Sequence, residues 1–247
     1  MPQVRPATRG GRNNAKLAAN ARTGTSARSK RAGILEVAAQ YFGEHGYEDT
    51  KWADVAAAVG IGSTALYHYF ESKLHCLYVI MAEALESFQS DFERITGEHD
   101  DFLDALVLVL RSGYELTDQQ VLRNRVLVAE QGLVGIPRES RREEEARELS
   151  RARTRDIEFA WATFLVRGME QGLLPRTDAR LLTRALLGLY NSVWHWYRPR
   201  GTLGLEELAD FFVRRQLAVL SIDPDLADRK PGSDTQPARR RSRQARR

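Results

Sequence analysis

The stretch GIGSTALYHYFESK, residues 60–73, sets hydroxyls, aromatic rings and a terminal lysine behind two glycines. On a helix, Ser63 and Thr64 supply hydroxyls near its start, and Tyr67 and His68 supply hydrogen-bonding rings along it. Hydroxyl, phenol and imidazole groups arranged in this way suit phosphate oxygens and base edges. Small residues at the start of such a helix let its backbone come close to the bases, and the Ala65 methyl matches a thymine methyl. Catalytic chemistry would need companions that are missing. GIGSTA lacks the third glycine of a dinucleotide loop and a strand before it, and the nucleophile-elbow pattern fails as well. His45, His68, His75, His99 and His195 stand at no metal-ligand spacing. The residues therefore point to a binding protein rather than an enzyme, with no metal or cofactor expected.

Presenting those groups takes a helix, a tight turn and a second short helix, which is the helix-turn-helix plan. The spacing predicts a first helix over SARSKRAGILEVAAQYFGEHGY, with Ile34, Leu35, Ala38, Tyr41 and Phe42 on one stripe and Gly46 stopping it. Thr50 offers an N-cap hydroxyl to KWADVAAAVG, whose buried stripe is Trp52, Val55, Ala56 and Val59, and Gly60 ends that helix. A third helix follows over about Ser63 to Tyr69, and a long fourth begins near Glu71. Further helices are expected at about 101–116, 118–134, 140–172, 177–197 and 205–220, with no strand or hairpin signal. The fold class is all-α: an N-terminal three-helix helix-turn-helix domain, then a larger helical bundle. The run RESRREEEARELSRARTRD reads as a solvated face carrying ion pairs at helical spacing.

Residues 34–73, from ILEVAAQYF through WADVAAAVG to ALYHYFESK, resemble the DNA-binding domain of the tetracycline-repressor-like (TetR) family. The resemblance implies a homodimeric, ligand-responsive transcriptional repressor that leaves a palindromic DNA operator when a small molecule enters its C-terminal bundle. It implies that Tyr67 and His68 contact phosphates or nearby bases, Ser63 and Thr64 face bases, Thr50 contacts the backbone, and Lys73 holds a phosphate. Gly62 departs from the family pattern, which commonly has Ser there and so a side-chain cap. A softer likeness of NSVWHWYRPRGTLGLEELADFF to the acyl-CoA-responsive branch of lipid and sterol breakdown suggests an apolar effector such as an acyl-CoA. Phe159, Phe164, Tyr190 and Trp194 are the candidate ligand-lining residues. Arg111, Arg123 and Arg184 are candidates for its phosphates, with surface ion pairs as their alternative role. The helices at 177–197 and 205–220 are the family's usual dimer pair.

Charge divides the chain sharply. Residues 1–31 hold eight Arg or Lys and no acid, and residues 229–247 hold eight against Asp234 alone. The reading domain, residues 32–73, is net −4, with Lys51 and Lys73 against six acids. Both tails are poor in apolar residues, so they are expected to be disordered basic arms that either supply phosphate contacts or aid solubility. The expected organisation is an arm over 1–27, the DNA-binding domain over 28–73, the ligand and dimerisation bundle over 74–222 and a tail over 223–247. A non-specific architectural dimer that binds DNA through its arms is the alternative, and sequence preference separates the two. The single Cys76 fits a reducing compartment, FLDALVLVL is too short to span a bilayer, and the expected location is cytoplasmic with no membrane partner.

Overall fold

The computed structural model describes the backbone of residues 11–228 and the side chains of residues 28–228. Among these residues the order is α1 (Gly11–His45), α2 (Trp52–Val59), α3 (Ser63–Tyr69), α4 (Lys73–Glu98), α5 (Phe102–Ser112), α6 (Asp118–Ala129), α7 (Arg141–Glu170), α8 (Ala179–Trp196) and α9 (Leu205–Val219). Short 3-10 turns at Gln131–Gly135 and Pro224–Asp228 follow α6 and α9, and no strand occurs among the described residues. The all-α expectation is met. Local signals explain most boundaries. Gly46 at φ 95° turns the chain after α1, and Thr117 and Gln120 form a capping box at the start of α6.

The N-terminal end differs from the expected arm, since α1 begins at Gly11 and the backbone of 11–27 is helical. Ala15, Lys16, Leu17, Ala18, Ala19, Ala21 and Arg22 are strong helix formers, and that propensity supports a helix in a stretch with little to bury. Residues 1–10 and 229–247 of the two expected arms lie outside the described residues.

The described residues divide into two compact units that do not follow chain order: residues 11–87, 116–157 and 193–199 in the first, and 88–115, 158–192 and 200–228 in the second. Residues 74–87 join the first unit rather than a separate bundle because Cys76, Leu77, Ile80 and Met81 are buried in its core. There they meet Ile34, Leu35, Ala38 and Phe42 of α1, Val55 of α2, Leu66 of α3 and Val126 of α6. Each Leu, Ile, Val, Met and Phe among them contributes about 1.5–3 kcal/mol on burial. α1 lies close on α6 at Gly43, where a Cβ would stand 2.9 Å from Leu122 Cβ and 3.1 Å from its carbonyl oxygen. Arg125 of α6 locks this contact, donating from Nε to Gly43 O at 3.1 Å and from Nη1 to Tyr197 O at 2.6 Å.

The start of α7 is less solvated than its composition suggests. Arg147 is 2% exposed and forks onto Glu144, with Nε to Oε2 at 2.8 Å and Nη2 to Oε1 at 2.6 Å. Its Nη1 donates to Val134 O at 2.7 Å, so this cation closes the turn between α6 and α7 from within. Arg141–Glu145 and Arg151–Glu148 remain exposed pairs, as expected of the solvated face. The Arg147 fork and the Arg138 backbone N–H hold the Glu144 carboxyl at about 2, below the usual 4.5. A depressed folded value means that this contribution is full above the ordinary carboxylate range and is lost as pH falls through it toward about 2. Urea midpoints at about pH 5 and about pH 2.5 should therefore fall more steeply for the natural chain than for Arg147→Met. Equal pH dependence in the two proteins would remove the fork as a source of acid sensitivity.

In the second unit the core is aromatic. Phe92 lies 5.0 Å from the Trp161 ring and 5.8 Å from Phe164, and Phe102 stacks on Phe164 at 4.7 Å. A second group joins Tyr190 to Phe88 at 5.2 Å and to Tyr114 at 5.7 Å, with Phe212 stacked 6.1 Å from Tyr114. No helix among the described residues is long and apolar enough to cross a membrane.

Candidate DNA-binding surface

The turn before α3 follows from two glycines. Gly60, at φ 73°, ends α2 with its N–H on Ala57 O, and the Ile61 N–H reaches Ala56 O, each at 3.0 Å. This is a left-handed cap that a side chain would strain. Gly62 then takes an extended conformation at the N-cap of α3 with no side-chain cap bond, and its carbonyl accepts from Ala65 N–H at 2.8 Å. Leu66 and Phe70 are fully buried and seat α3 on the core. With that underside fixed, Ser63, Thr64, Tyr67 and His68 all lie exposed, within an arc of about 140° at the helical repeat. Tyr67 is 55% exposed, a large aromatic ring left on the surface with its hydroxyl at the rim.

The other two candidates have different positions. Thr50 is 4% exposed and its hydroxyl donates to Gly46 O at 2.7 Å, so it tightens the loop after α1. The N-cap of α2 is Lys51, without a side-chain cap bond, rather than Thr50. Thr50 stands one residue too early, because α2 begins at Trp52. Lys73, in the first turn of α4, donates from Nζ to Tyr47 O at 2.7 Å, Thr50 O at 3.0 Å and Glu48 O at 3.4 Å. The ammonium also lies 4.2 Å from the centre of the Tyr47 ring. It fastens the α1–α2 loop to α4. Ser72 Oγ accepts from the His75 backbone N–H at 2.9 Å and donates to Glu143, which orders the same first turn of α4. Burial lowers the His75 pKa, favouring the neutral ring whose Nδ1 accepts from Glu71 N–H at 3.2 Å.

Residues 34–77 match the family of bacterial regulatory proteins, tetR family, and residues 119–220 match the tetracyclin repressor-like C-terminal domain. The TetR family transcriptional regulator PfmR from Thermus thermophilus is 31% identical, with TM-score 0.62, over 76% of this chain and 97% of its own. This chain belongs to the tetR family. It is thus a DNA-binding transcription factor rather than an enzyme. Within the TetR family it is 26% identical over 190 residues to the HTH-type transcriptional repressor KstR2 of Mycobacterium tuberculosis, covering 75% of this chain and 90% of that protein. The solved structure of that ketosteroid transcriptional regulator is 25% identical, with TM-score 0.63, over 76% of this chain and 93% of its own. AibR, solved with isovaleryl coenzyme A and operator DNA, is 22% identical with TM-score 0.63 over 79% of this chain and 98% of its own, a likeness of fold.

The four ligand candidates stand in different settings, with Tyr190 and Trp194 one helical turn apart on α8. Phe164 lies inside the Phe92 and Phe102 stack, and Tyr190 lies in the group with Phe88 and Tyr114. Trp194 falls in the other unit, 6.1 Å from Tyr197. Phe159 is 73% exposed and so faces outward rather than into an interior. Helical spacing marks an aromatic as lying on a stripe, but α7 carries apolar stripes on more than one side. Arg111 pairs with Asp210 at 3.0 Å, Arg184 with Glu158 at 3.7 Å and Arg123 with Glu83 at 4.0 Å, so each takes the ion-pair role. Lys51 is an exposed cation that the motif reading passed over, and Arg31, 4.9 Å from the Phe70 ring, is another cation beside α3. Only the acid-free run before residue 32 signals the second of these in sequence.

Proposed function

We propose that the chain is a ligand-responsive, sequence-specific transcriptional repressor that binds a palindromic operator as a homodimer and leaves it when a small apolar effector, such as an acyl-CoA, binds. The observation that carries this reading is the exposed face of α3, where Ser63, Thr64, Tyr67 and His68 stand over a fully buried underside. Such a helix can enter a major groove with donors for bases and for the flanking phosphates. Self-association is supported by apolar exposure within the second unit: Leu181 on α8 is 64% exposed and Phe211 on α9 is 53% exposed. Large residues left in water on adjacent elements mark an interaction surface, and a two-fold dimer imposes its symmetry on the operator. Kinship with a ketosteroid transcriptional regulator and an interior rich in aromatic rings support an apolar effector.

The test is selection of duplexes from a random library by the full-length protein, followed by anisotropy titrations on the enriched sequence. A pseudo-palindromic site with two half-sites on one face of the duplex is expected. Tyr67→Phe should weaken binding about tenfold, because a hydrogen bond to a charged group contributes about 1.5–3 kcal/mol. Thr64→Ala should instead change the preferred base at one position of each half-site. A panel of acyl-CoAs and free acids should contain a member that lowers affinity, which requires it to bind the DNA-free form more tightly. Binding without sequence preference would favour the architectural alternative.

A further inference from the structure

A protein that grips duplex DNA must neutralise phosphates, and the helix-turn-helix of this chain is short of cations. Residues 32–73 hold only two lysines against six acids. The Lys73 ammonium is committed inside the fold to three carbonyls and the Tyr47 ring. Lys51 is thus the exposed lysine left in that stretch.

The missing charge lies on α1. This helix starts at Gly11, yet the first buried residue among its described side chains is Ile34. At about 1.5 Å per residue, the part before Ile34 is roughly 35 Å long, about one turn of duplex. Its sequence from 11 to 31 holds Arg12, Lys16, Arg22, Arg28, Lys30 and Arg31 and no acid. Arg28 and Lys30 are exposed. Arg31 lies 4.9 Å from the centre of the Phe70 ring, and Phe70 is the residue that caps the C-terminal end of α3. The root of the basic segment therefore adjoins the helix that presents Ser63, Thr64, Tyr67 and His68.

We propose that residues 11–31, the N-terminal part of α1, form a second DNA-contacting element that grips the phosphate backbone beside the half-site read by α3 and supplies most of the electrostatic affinity. This rests on the DNA-reading function proposed above. The occupant is duplex DNA because the segment is purely basic and its root, Arg31, lies against the residue that caps the reading helix. Phosphate contacts of this kind add affinity without reading sequence.

The experiment compares the full-length protein with a full-length triple variant, Arg22→Gln, Arg28→Gln and Lys30→Gln, and with deletion of residues 1–27. Glutamine keeps the helix propensity of the replaced residues, so the triple variant isolates charge from folding. Anisotropy titrations over a range of salt use the duplex selected by the full-length protein and a random duplex of about three helical turns. Each lost phosphate contact flattens log affinity against log salt by about 0.9, so the triple variant, which removes three cations from each protomer of the dimer, should flatten the slope by up to about 5. It should weaken both duplexes by similar factors and leave the thermal midpoint unchanged. Deletion of 1–27 should flatten the slope further, and deletion of 229–247 should change it less. An unchanged slope in the triple variant, or a loss confined to sequence preference, overturns the inference. A full-length protein that enriches no duplex overturns the DNA-reading function itself, a result distinct from either.

Discussion

Lys73→Met is expected to lower the unfolding free energy of the first unit by about 2–3 kcal/mol, with loss of DNA binding as a consequence rather than the primary effect. The ammonium donates to the carbonyls of Tyr47, Glu48 and Thr50, which lie 23 to 26 residues earlier in the chain. Hydrogen bonds from a charged donor contribute about 1.5–3 kcal/mol each when well formed, and the figure is discounted here because the group is partly open to solvent. Methionine keeps the aliphatic stem but leaves those oxygens to water, so the loop loses its tie to α4. The TetR resemblance implies that Lys73 holds a phosphate, and that role makes the opposite forecast: weaker operator binding with an unchanged urea midpoint. Measuring both quantities on Lys73→Met separates them. An unchanged midpoint would overturn the structural role.

Gly168→Ala should cost about 3 kcal/mol, roughly 6–12 °C in melting temperature for a chain of this size. A Cβ at this position would stand 2.3 Å from Phe102 Cζ and 2.7 Å and 2.8 Å from its Cε atoms. Phe102 is 1% exposed and stacked on Phe164, which meets Phe92, so the ring has packed neighbours behind it. Close-packed interiors respond to an added methyl with strained rotamers or backbone shifts, and rigid rings give little relief. Phe102→Leu in the same chain should recover part of the loss, since the smaller side chain vacates the contested volume. The experiment also bears on Phe164 as a ligand-lining residue. If this cluster can open to admit an effector, Phe102 can move and the cost of Gly168→Ala should drop below about 1 kcal/mol.

Local chemistry made much of this protein legible from its sequence. Helices stop where Gly46 and Gly60 supply the left-handed conformation, and α3 shows its polar face because Leu66 and Phe70 must be buried. The resemblance over residues 34–73 and the family match over 34–77 rest on that same pattern. The separation of basic ends from an acidic body is also a property of composition alone.

What a cation or an aromatic ring does was decided only by tertiary structure. Lys73 reads as a phosphate ligand and Arg147 as a solvated charge in sequence, yet the carbonyls of Tyr47 and Thr50 converge on Lys73 and the carbonyl of Val134 meets Arg147. Thr50 donates its hydroxyl to Gly46 O, and α2 starts at Trp52 with Lys51 at its N-cap. Phe159 and Phe164 both sit at helical spacing on α7, but one is 73% exposed and the other 6%. Periodicity determines that a stripe exists, whereas which stripe is covered depends on the elements that pack against it. Residues 116–157 and 193–199 return to the first unit for the same reason: buried surface is matched between faces, not along the chain.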